Sequence, residues 1–127
     1  MFLHIDPANG LAIYDQIVRQ VKFAVAQGVL AAGELAPSVR ELARELTVNP
    51  NTVARAYQQL QTDRVLESVR GTGLAVVQGA DRRCRNERVK LIQTRLRQVI
   101  LEAQQSGLAM PEVRQMIDDE LAAIGEK

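Results

Sequence analysis

The chain has 127 residues, 46% of them hydrophobic and 24% charged, with a formal net charge of +1. That length and composition suit one globular domain, or a domain of about 70 to 80 residues with an appendage, and no apolar run approaches the roughly 18 residues that cross a bilayer. Since 16 basic side chains are balanced by 15 acidic ones, the chain lacks the strongly basic composition of many nucleic-acid-binding proteins. Any argument for nucleic-acid binding must therefore come from the placement of individual residues.

Two helices are predicted in the first third of the chain. We place the first over residues 12–27, where apolar residues recur at the spacing of an amphipathic helix. These residues are Ile13, Ile17, Val21 and Val25. Ser38 stands three residues before Glu41, which is the spacing of a capping box. A short second helix is therefore predicted over residues 38–46.

The third predicted helix combines a polar first turn with an apolar rear face. Asn49 can cap this helix by accepting from a free amide, and Pro50 at the first helical position costs no hydrogen bond. The apolar face contains Val53, Ala56, Tyr57 and Leu60. The other faces carry Asn51, Thr52, Arg55, Gln58 and Gln59. This pattern predicts a helix that is buried behind and open to solvent in front.

The period then changes and predicts a β-hairpin followed by two helices. Short strands at residues 65–69 and 74–76 are joined by Arg70-Gly71-Thr72-Gly73, whose glycines permit positive φ. A long helix is predicted over residues 81–105, and a last helix begins at Pro111. The long helix carries an apolar seam at coiled-coil spacing, formed by Val89, Ile92, Leu96, Val99 and Ala103. The last helix has an apolar face formed by Val113, Met116, Ile117, Leu121 and Ile124.

This order of elements predicts a mainly α fold with one small β-hairpin. Two short helices joined by a tight turn and followed by a hairpin form a winged helix-turn-helix, which we place over residues 1–79. The remaining two helices form a helical tail over residues 80–127. A tail of about 45 residues cannot bury a complete core alone. We therefore expect the seam to pack against a second copy of the chain.

Two stretches of the sequence resemble a known family. The stretch PSVRELARELTVNPNTVARAYQQLQ resembles the GntR family of bacterial transcription regulators, and the earlier stretch IDPANGLAIYDQIVRQVK, with the short helical tail, resembles its small YtrA-type subfamily. The likeness covers roughly residues 5–77. It implies a dimeric repressor or activator whose third helix enters the major groove of DNA while the wing reaches the neighbouring minor groove. Of these two directions of regulation we predict repression.

The resemblance also implies individual DNA contacts. Arg40 corresponds to a DNA-contacting arginine on the second helix, and Gly71 corresponds to the tip of the wing. Asn49, Asn51 and Thr52 correspond to contacts at the front of the recognition helix. The chain departs from the family pattern at Ala36, where leucine is usual, at Thr47 and Arg64, where glycine is frequent, and at Ala75, where a large apolar residue is usual.

The residue types at these positions suit DNA on chemical grounds. A helix N-terminus presents free amides and a partial positive charge, which favour phosphates and base-edge acceptors. Asn51 can pair with adenine, Thr52 can bond a base or a phosphate, and Arg55 can reach guanine or a phosphate. The candidate phosphate contacts are Arg40, Arg44 and Arg70.

Structural roles stay open for several of these side chains. For Asn49 the alternative is a role as a helix cap without DNA contact. For Arg40 and Arg44 the alternative is pairing with Glu41 and Glu45 on a solvated surface. A basic cluster lies at the start of the long helix and consists of Arg82, Arg83, Arg85 and Arg88. This cluster either extends the phosphate contacts or is a solvated helix start.

The sequence offers no enzymatic site. His4 is the only histidine and Cys84 the only cysteine, so no common metal-ligand spacing and no pair of nucleophile and histidine exists. We therefore expect neither catalysis nor a bound metal or cofactor. The N-terminus lacks the pattern of a signal peptide, and a lone cysteine suits a reducing compartment. These features predict a cytoplasmic protein.

The expected partners are double-stranded DNA and a second copy of the chain. A homodimer with twofold symmetry presents its recognition helices to palindromic half-sites about 34 to 36 Å apart, or a multiple of that distance. The short tail leaves little room for an effector cavity, and the sequence names no effector. The alternative function is a winged helix that binds a protein or RNA without recognising an operator.

Overall fold

A computed structural model describes residues 3–6, 8 and 10–125 of the chain. Five helices and two strands occur in these residues: α1 (Ile13–Ala26), α2 (Val39–Leu46), α3 (Pro50–Thr62), β1 (Leu66–Val69), β2 (Gly73–Val76), α4 (Ala80–Gln105) and α5 (Met110–Ile124). The fold is mainly α with one hairpin, as predicted. The outermost residues of both predicted domains lie outside the described residues.

Helices α1, α2 and α3 form the hydrophobic core of the first unit. The apolar stripe of α1 contributes Ile17, Val21 and Val25, all buried, and α2 contributes Leu42. The predicted rear face of α3 is buried in full, and it consists of Val53, Ala56, Tyr57 and Leu60. The period of 3.6 residues therefore placed each helix correctly against its neighbours.

The segment that precedes α1 is attached to it by two glutamine side chains. The side chain of Gln16 is buried, and its Nε2 donates to the carbonyl oxygens of Asp6 at 2.9 Å and Leu11 at 3.1 Å. Its Oε1 accepts from the amide of Asp6 at 2.9 Å. Gln20 makes an equivalent pair of bonds with the backbone of His4. A buried amide side chain needs these partners, and the amphipathic pattern gave no sign of them.

The wing is a two-stranded antiparallel hairpin in which Leu66 pairs with Val76 and Val69 pairs with Gly73. The segment between α1 and α2 pairs with this hairpin, which the sequence pattern did not predict. Leu35 forms an antiparallel bridge with Ala75, and the amide of Ala36 donates to the carbonyl oxygen of Leu74 at 2.8 Å. The hairpin is therefore bonded to the chain that leads into α2.

Two of the family departures adopt the left-handed conformation that glycine usually supplies. Thr47, the C-cap of α2, has φ 55° and ψ 50°, and Arg64, just after α3, has φ 59°. Side chains other than glycine pay roughly 1 to 2 kcal/mol for this conformation. The turns keep their geometry because the amide of Val48 bonds the carbonyl oxygen of Ala43 and the amide of Val65 bonds that of Leu60.

The chain divides into two compact units, Met1–Arg88 and Val89–Lys127. This division lies inside α4 and not ahead of it at residue 79, where the sequence analysis placed the boundary. The physical reason is the burial of Ala80 and Cys84, which join the core of the first unit. The first turns of α4 thus belong with the winged helix.

The second unit contains the rest of α4 and the whole of α5. Val113 is its buried apolar residue among those described, whereas most of the other large apolar side chains of both helices are exposed. Ile100 and Met110 are half-buried. Gly107 and Gly125, both at positive φ, follow the ends of the two helices. None of the helices in residues 10–125 combines the length and the apolar character that crossing a membrane requires.

Candidate nucleic-acid interface

The first turn of α3 is capped by Asn49 and opens to solvent. The Oδ1 atom of Asn49 accepts from the amide of Asn51 at 2.8 Å, and Pro50 occupies the first turn, where it has no hydrogen bond to lose. The amide group of the Asn49 side chain donates to no described residue. Asn49 is therefore a helix cap, as one of the two predictions for it stated, and it retains two donors that point away from its cap bond.

Asn51 and Thr52 lie beside this cap on the outer face of α3. Asn51 is exposed and Thr52 half-buried, while Val53 directly behind them is fully buried. Short polar side chains here leave the helix N-terminus, where the partial positive charge is concentrated, accessible to a ligand. The geometry leaves a donor and an acceptor on Asn51 available to a base edge.

The start of α2 is closed by a capping box and is joined to α3 by one hydrogen bond. Ser38 Oγ accepts from the amide of Glu41 at 3.0 Å, and the Glu41 carboxylate accepts from the amide of Ser38 at 3.1 Å, which completes the predicted capping box. The buried Tyr57 hydroxyl of α3 donates to the carbonyl oxygen of Pro37 at 2.6 Å. Burial raises the pKa of Tyr57, and the nearby charge of Glu41 acts in the same direction. Tyr57 thus remains a protonated donor.

Arg40 and Arg44 are exposed on α2. The alternative prediction paired them with Glu41 and Glu45. Within residues 10–125, however, the ion pairs all involve Lys22, and neither arginine takes part in one. Their guanidinium groups are available to a phosphate.

Arg55 is held against α1. Its guanidinium carbon lies 3.8 Å from the centroid of the Tyr14 ring, which is within the range of a cation–π contact. A stacked guanidinium keeps its N–H edges free, because the ring occupies only one face. The contact with Tyr14 therefore gives the Arg55 side chain a defined orientation, which sequence spacing alone did not reveal.

The wing turn presents Arg70 and Gly71 to solvent. Gly71 has φ 77°, and a Cβ built there meets no atom within 4 Å. Backbone conformation, and not a lack of space, is therefore what favours glycine at this position in the free protein. The hydroxyl of Thr72 donates to the carbonyl oxygens of Val69 and Arg70, both at 3.2 Å, and so stiffens the turn.

The basic cluster at the start of α4 has two kinds of members. Arg83 donates to the backbone carbonyl oxygens of Asp63, at 3.2 Å, and Arg64, and the guanidinium of Arg88 lies 5.3 Å from the centroid of Phe23. Arg82 and Arg85 are exposed and bond no described residue. The cluster is thus partly a structural attachment, a role that the sequence analysis did not consider.

The predicted seam of α4 lies in the second unit and faces solvent in the single chain. The exposed fractions are 41% for Val89, 47% for Ile92, 49% for Leu96 and 61% for Val99, and Ala103 is half-buried. Apolar side chains at regular spacing on an exposed face favour a helical partner.

Comparison with known proteins identifies the family. A profile described as "Bacterial regulatory proteins, gntR family" matches residues 13–76, which contain α1, the helix-turn-helix and the wing. The chain belongs to the GntR family. This membership confirms the resemblance stated from the sequence, and it makes the chain a DNA-binding transcription regulator and not an enzyme. No group of three or more potential metal-ligating side chains occurs in the part of the chain that the structure describes.

Individual GntR-type relatives extend the similarity beyond the winged helix. The chain is 32% identical over 117 residues to the HTH-type transcriptional repressor YtrA of Bacillus subtilis, which covers 92% of this chain and 90% of that protein. A crystal structure of a transcriptional regulator from Oenococcus oeni matches with a TM-score of 0.80 and 32% identity, and the match covers 94% of this chain and 99% of that one. The similarity therefore includes the tail helices.

A further solved structure contains DNA. The DNA-binding domain of AraR in complex with operator ORX1 matches with a TM-score of 0.53 and 26% identity, over 59% of this chain and 93% of that one. The part of this chain that has a counterpart in an operator complex is thus of the size of the winged helix.

Proposed function

We propose that this GntR-family chain is a homodimeric repressor that binds palindromic operator DNA through the front turn of α3. The observation that carries the proposal is the asymmetry of α3. Its rear face is buried, whereas at its N-terminus Asn49 and Asn51 are exposed and Thr52 is half-buried. A helix that is anchored from behind and polar in front is suited to the major groove of DNA.

Base recognition is assigned to the front turn. Asn51 offers the donor and acceptor that adenine requires, Thr52 offers a hydroxyl and a methyl group, and the free amide group of Asn49 can donate to a base or a phosphate. Arg55, stacked on Tyr14, presents its N–H edges one turn further along the same helix. The stacking limits the rotamers that Arg55 must give up on binding, which favours a specific contact.

Phosphate binding is assigned to three exposed arginines, which are Arg40, Arg44 and Arg70. None of them forms an ion pair with a described residue. Each phosphate that such a side chain neutralises should steepen the dependence of log affinity on log salt by roughly one unit. Gly71 brings the backbone of the wing turn close to the minor groove because it adds no side chain there.

Dimerisation is assigned to the seam of α4, which is formed by Val89, Ile92, Leu96, Val99 and Ala103. Burying four or five apolar side chains at about 25 cal/mol per Å² is a substantial driving force for a coiled-coil contact. Two chains related by a twofold axis would present two copies of α3 to an inverted repeat. Repression as the outcome is supported by the similarity to YtrA, whose name describes a transcriptional repressor.

Selection from random duplex DNA tests the whole proposal. We expect the protein to enrich an inverted repeat and to bind it with a strong dependence on salt, and we expect sedimentation equilibrium to give the mass of a dimer. A reporter gene should be silenced when the enriched repeat overlaps its promoter. Enrichment of nothing, or retention of RNA in preference to duplex DNA, would contradict the proposal and support the alternative winged-helix module.

Two substitutions separate base recognition from phosphate binding. Asn51→Ala should weaken binding to the enriched repeat by about 5- to 150-fold, equivalent to roughly 1 to 3 kcal/mol, and should affect scrambled DNA much less. Arg40→Ala should weaken binding to both kinds of DNA alike and lower the salt slope by about one unit. Gln61→Ala, an exposed polar change at the far end of α3, is the matched control. If all three variants bind like the wild type, the assigned surface is wrong.

A further inference from the structure

The C-terminal end of α3 is attached to α4 by a compact set of charged groups, here called the neck clamp. It consists of Lys22 on α1, Asp63 at the C-cap of α3, and Arg83 and Glu87 on α4. Lys22 Nζ lies 2.9 Å from Asp63 Oδ2 and 3.1 Å from Glu87 Oε1. Arg83 donates to the backbone carbonyl oxygens of Asp63 and Arg64. Three helices therefore meet at one group of side chains.

The neck clamp is built to hold its geometry. The side chain of Lys22 is only 19% exposed and that of Asp63 30%, so solvent screens their attraction less than it screens a fully exposed pair. Burial lowers the pKa of Lys22, but hydrogen bonds to Asp63 and Glu87 more than offset this and raise it overall. The bonds of Arg83 also satisfy carbonyl groups at the C-terminal end of α3, which attracts positive charge.

The position of the clamp links the reading end of α3 to the seam. The front turn of α3 lies 13 residues, or about 20 Å at 1.5 Å per residue, from the end that the clamp holds. The same continuous helix that carries Arg83 and Glu87 carries the seam from Val89 onward. A rotation of about 10° at the clamp would displace the front turn by about 3.4 Å, which is one base-pair step.

We propose that Lys22 and Arg83 are positioning residues that set the half-site spacing which the dimer accepts. This inference rests on the proposed function, since it requires paired seams and two recognition helices. The two residues touch no DNA; they act by fixing α3 against the first turns of α4. With the clamp intact, α3 is fixed to the first turns of α4, and operators that are one base pair too long or too short are rejected.

The test is a spacing series. Duplexes carry the enriched repeat with its two half-sites moved apart or together by single base pairs, and affinities are measured for wild type and for the double variant Lys22→Met and Arg83→Met, which keeps the aliphatic stems. We expect the wild type to lose about tenfold or more in affinity per base pair of error. The double variant should discriminate less than about threefold, with unchanged affinity for a duplex that carries one half-site.

The matched control is the double variant Arg82→Met and Arg85→Met. These two arginines lie on the same turns of α4, are exposed and make no bond to a described residue, so the control removes as much charge without touching the clamp. It should retain the wild-type spacing profile. Glu87→Gln, at an exposed carboxylate that forms one arm of the clamp, serves if the double variant loses its cooperative thermal transition, and it should broaden the profile in part.

The outcomes separate this inference from the proposed function. A wild-type dimer with a flat spacing profile, or clamp variants that discriminate as sharply as the wild type, would overturn the inference and leave the homodimeric repressor intact. A monomeric mass, or no preference for two half-sites over one, would overturn the proposed function and the inference with it. A control that flattens the profile as much as the clamp variants would assign the effect to lost charge and also overturn the inference.

Discussion

Amphipathic helices occur in both units of the chain, but their apolar faces are buried in the first unit and largely exposed in the second. In the first unit the apolar stripes of α1, α2 and α3 are buried against one another, so the unit satisfies its own core. In the second unit the apolar seam of α4 and most of the apolar face of α5 remain exposed. The first unit therefore buries its own apolar faces, whereas the second leaves apolar faces exposed that the proposed dimer would cover, and amphipathic periodicity alone does not distinguish the two cases.

A similar contrast exists between the two ends of α3. Its N-terminal turn has a cap, yet the side chains around the cap stay open to solvent. Its C-terminal end is closed by Arg83 and by the ion pair of Lys22 with Asp63. Binding sites are commonly carried on a scaffold that is rigid behind them, and this helix has that arrangement along its own length.

Charges in the seam act on the second unit alone, and they should have the largest effect of the substitutions described below. Leu96→Glu combined with Val99→Glu would place like charges in the interface of the proposed dimer, so we expect loss of the dimer and a fall of about 100-fold or more in affinity for the enriched repeat. Sedimentation equilibrium and gel shifts measure the two effects. Gln98→Glu, an exposed change on the same helix, should leave both unchanged. A dimer that persists would place the interface elsewhere.

A cavity in the first unit should have the next largest effect, and on a different property. Leu60→Ala removes a fully buried side chain and should lower the free energy of unfolding by about 2 to 5 kcal/mol. Leu35→Ala, at a leucine that is 46% exposed, should cost less in the same unit. Chemical denaturation measures the free energy of unfolding of both leucine variants, in the wild-type background and in the Leu96→Glu and Val99→Glu background. Equal costs for the two leucines would contradict the core described for this unit.

A glycine at the end of α2 should stabilise the first unit and leave the second unchanged. Thr47 is a β-branched residue at φ 55°, and glycine avoids that strain at some cost in the entropy of the unfolded chain. We expect Thr47→Gly to raise the free energy of unfolding of the first unit by about 1 kcal/mol, which corresponds to a shift in Tm of about 4 to 8 °C. The dimer mass should not change. A lower Tm would indicate that the threonine side chain contributes more than the strain removes.

Much of the first unit was predictable because its signals are local. The spacing of Ser38 and Glu41 predicts the capping box, Asn49 and Pro50 predict the start of α3, and the glycines of the wing predict its turn. Each signal acts over three or four residues, within which the chain has few alternatives. The family pattern also located the two turns at Thr47 and Arg64, although glycine is absent from both.

Other features became visible only when distant residues met. The bridge from Leu35 to Ala75 and the contact of Arg55 with Tyr14 join segments that are 40 residues or so apart, and neither leaves a periodic trace in the sequence. The same holds for Arg83, whose carbonyl partners lie at the end of α3. Sequence spacing placed this arginine in a basic cluster but gave no means of separating it from Arg82.

The order of elements, the buried faces of the first three helices and the polar front of α3 could be predicted from the sequence. This is because hydrophobic period and capping chemistry are properties of short segments. Only the tertiary structure shows which charged side chains form ion pairs or hydrogen bonds within the fold, and where the first unit ends inside α4. Those outcomes depend on which surfaces come within a few ångströms of one another, and that is settled by packing across the whole unit.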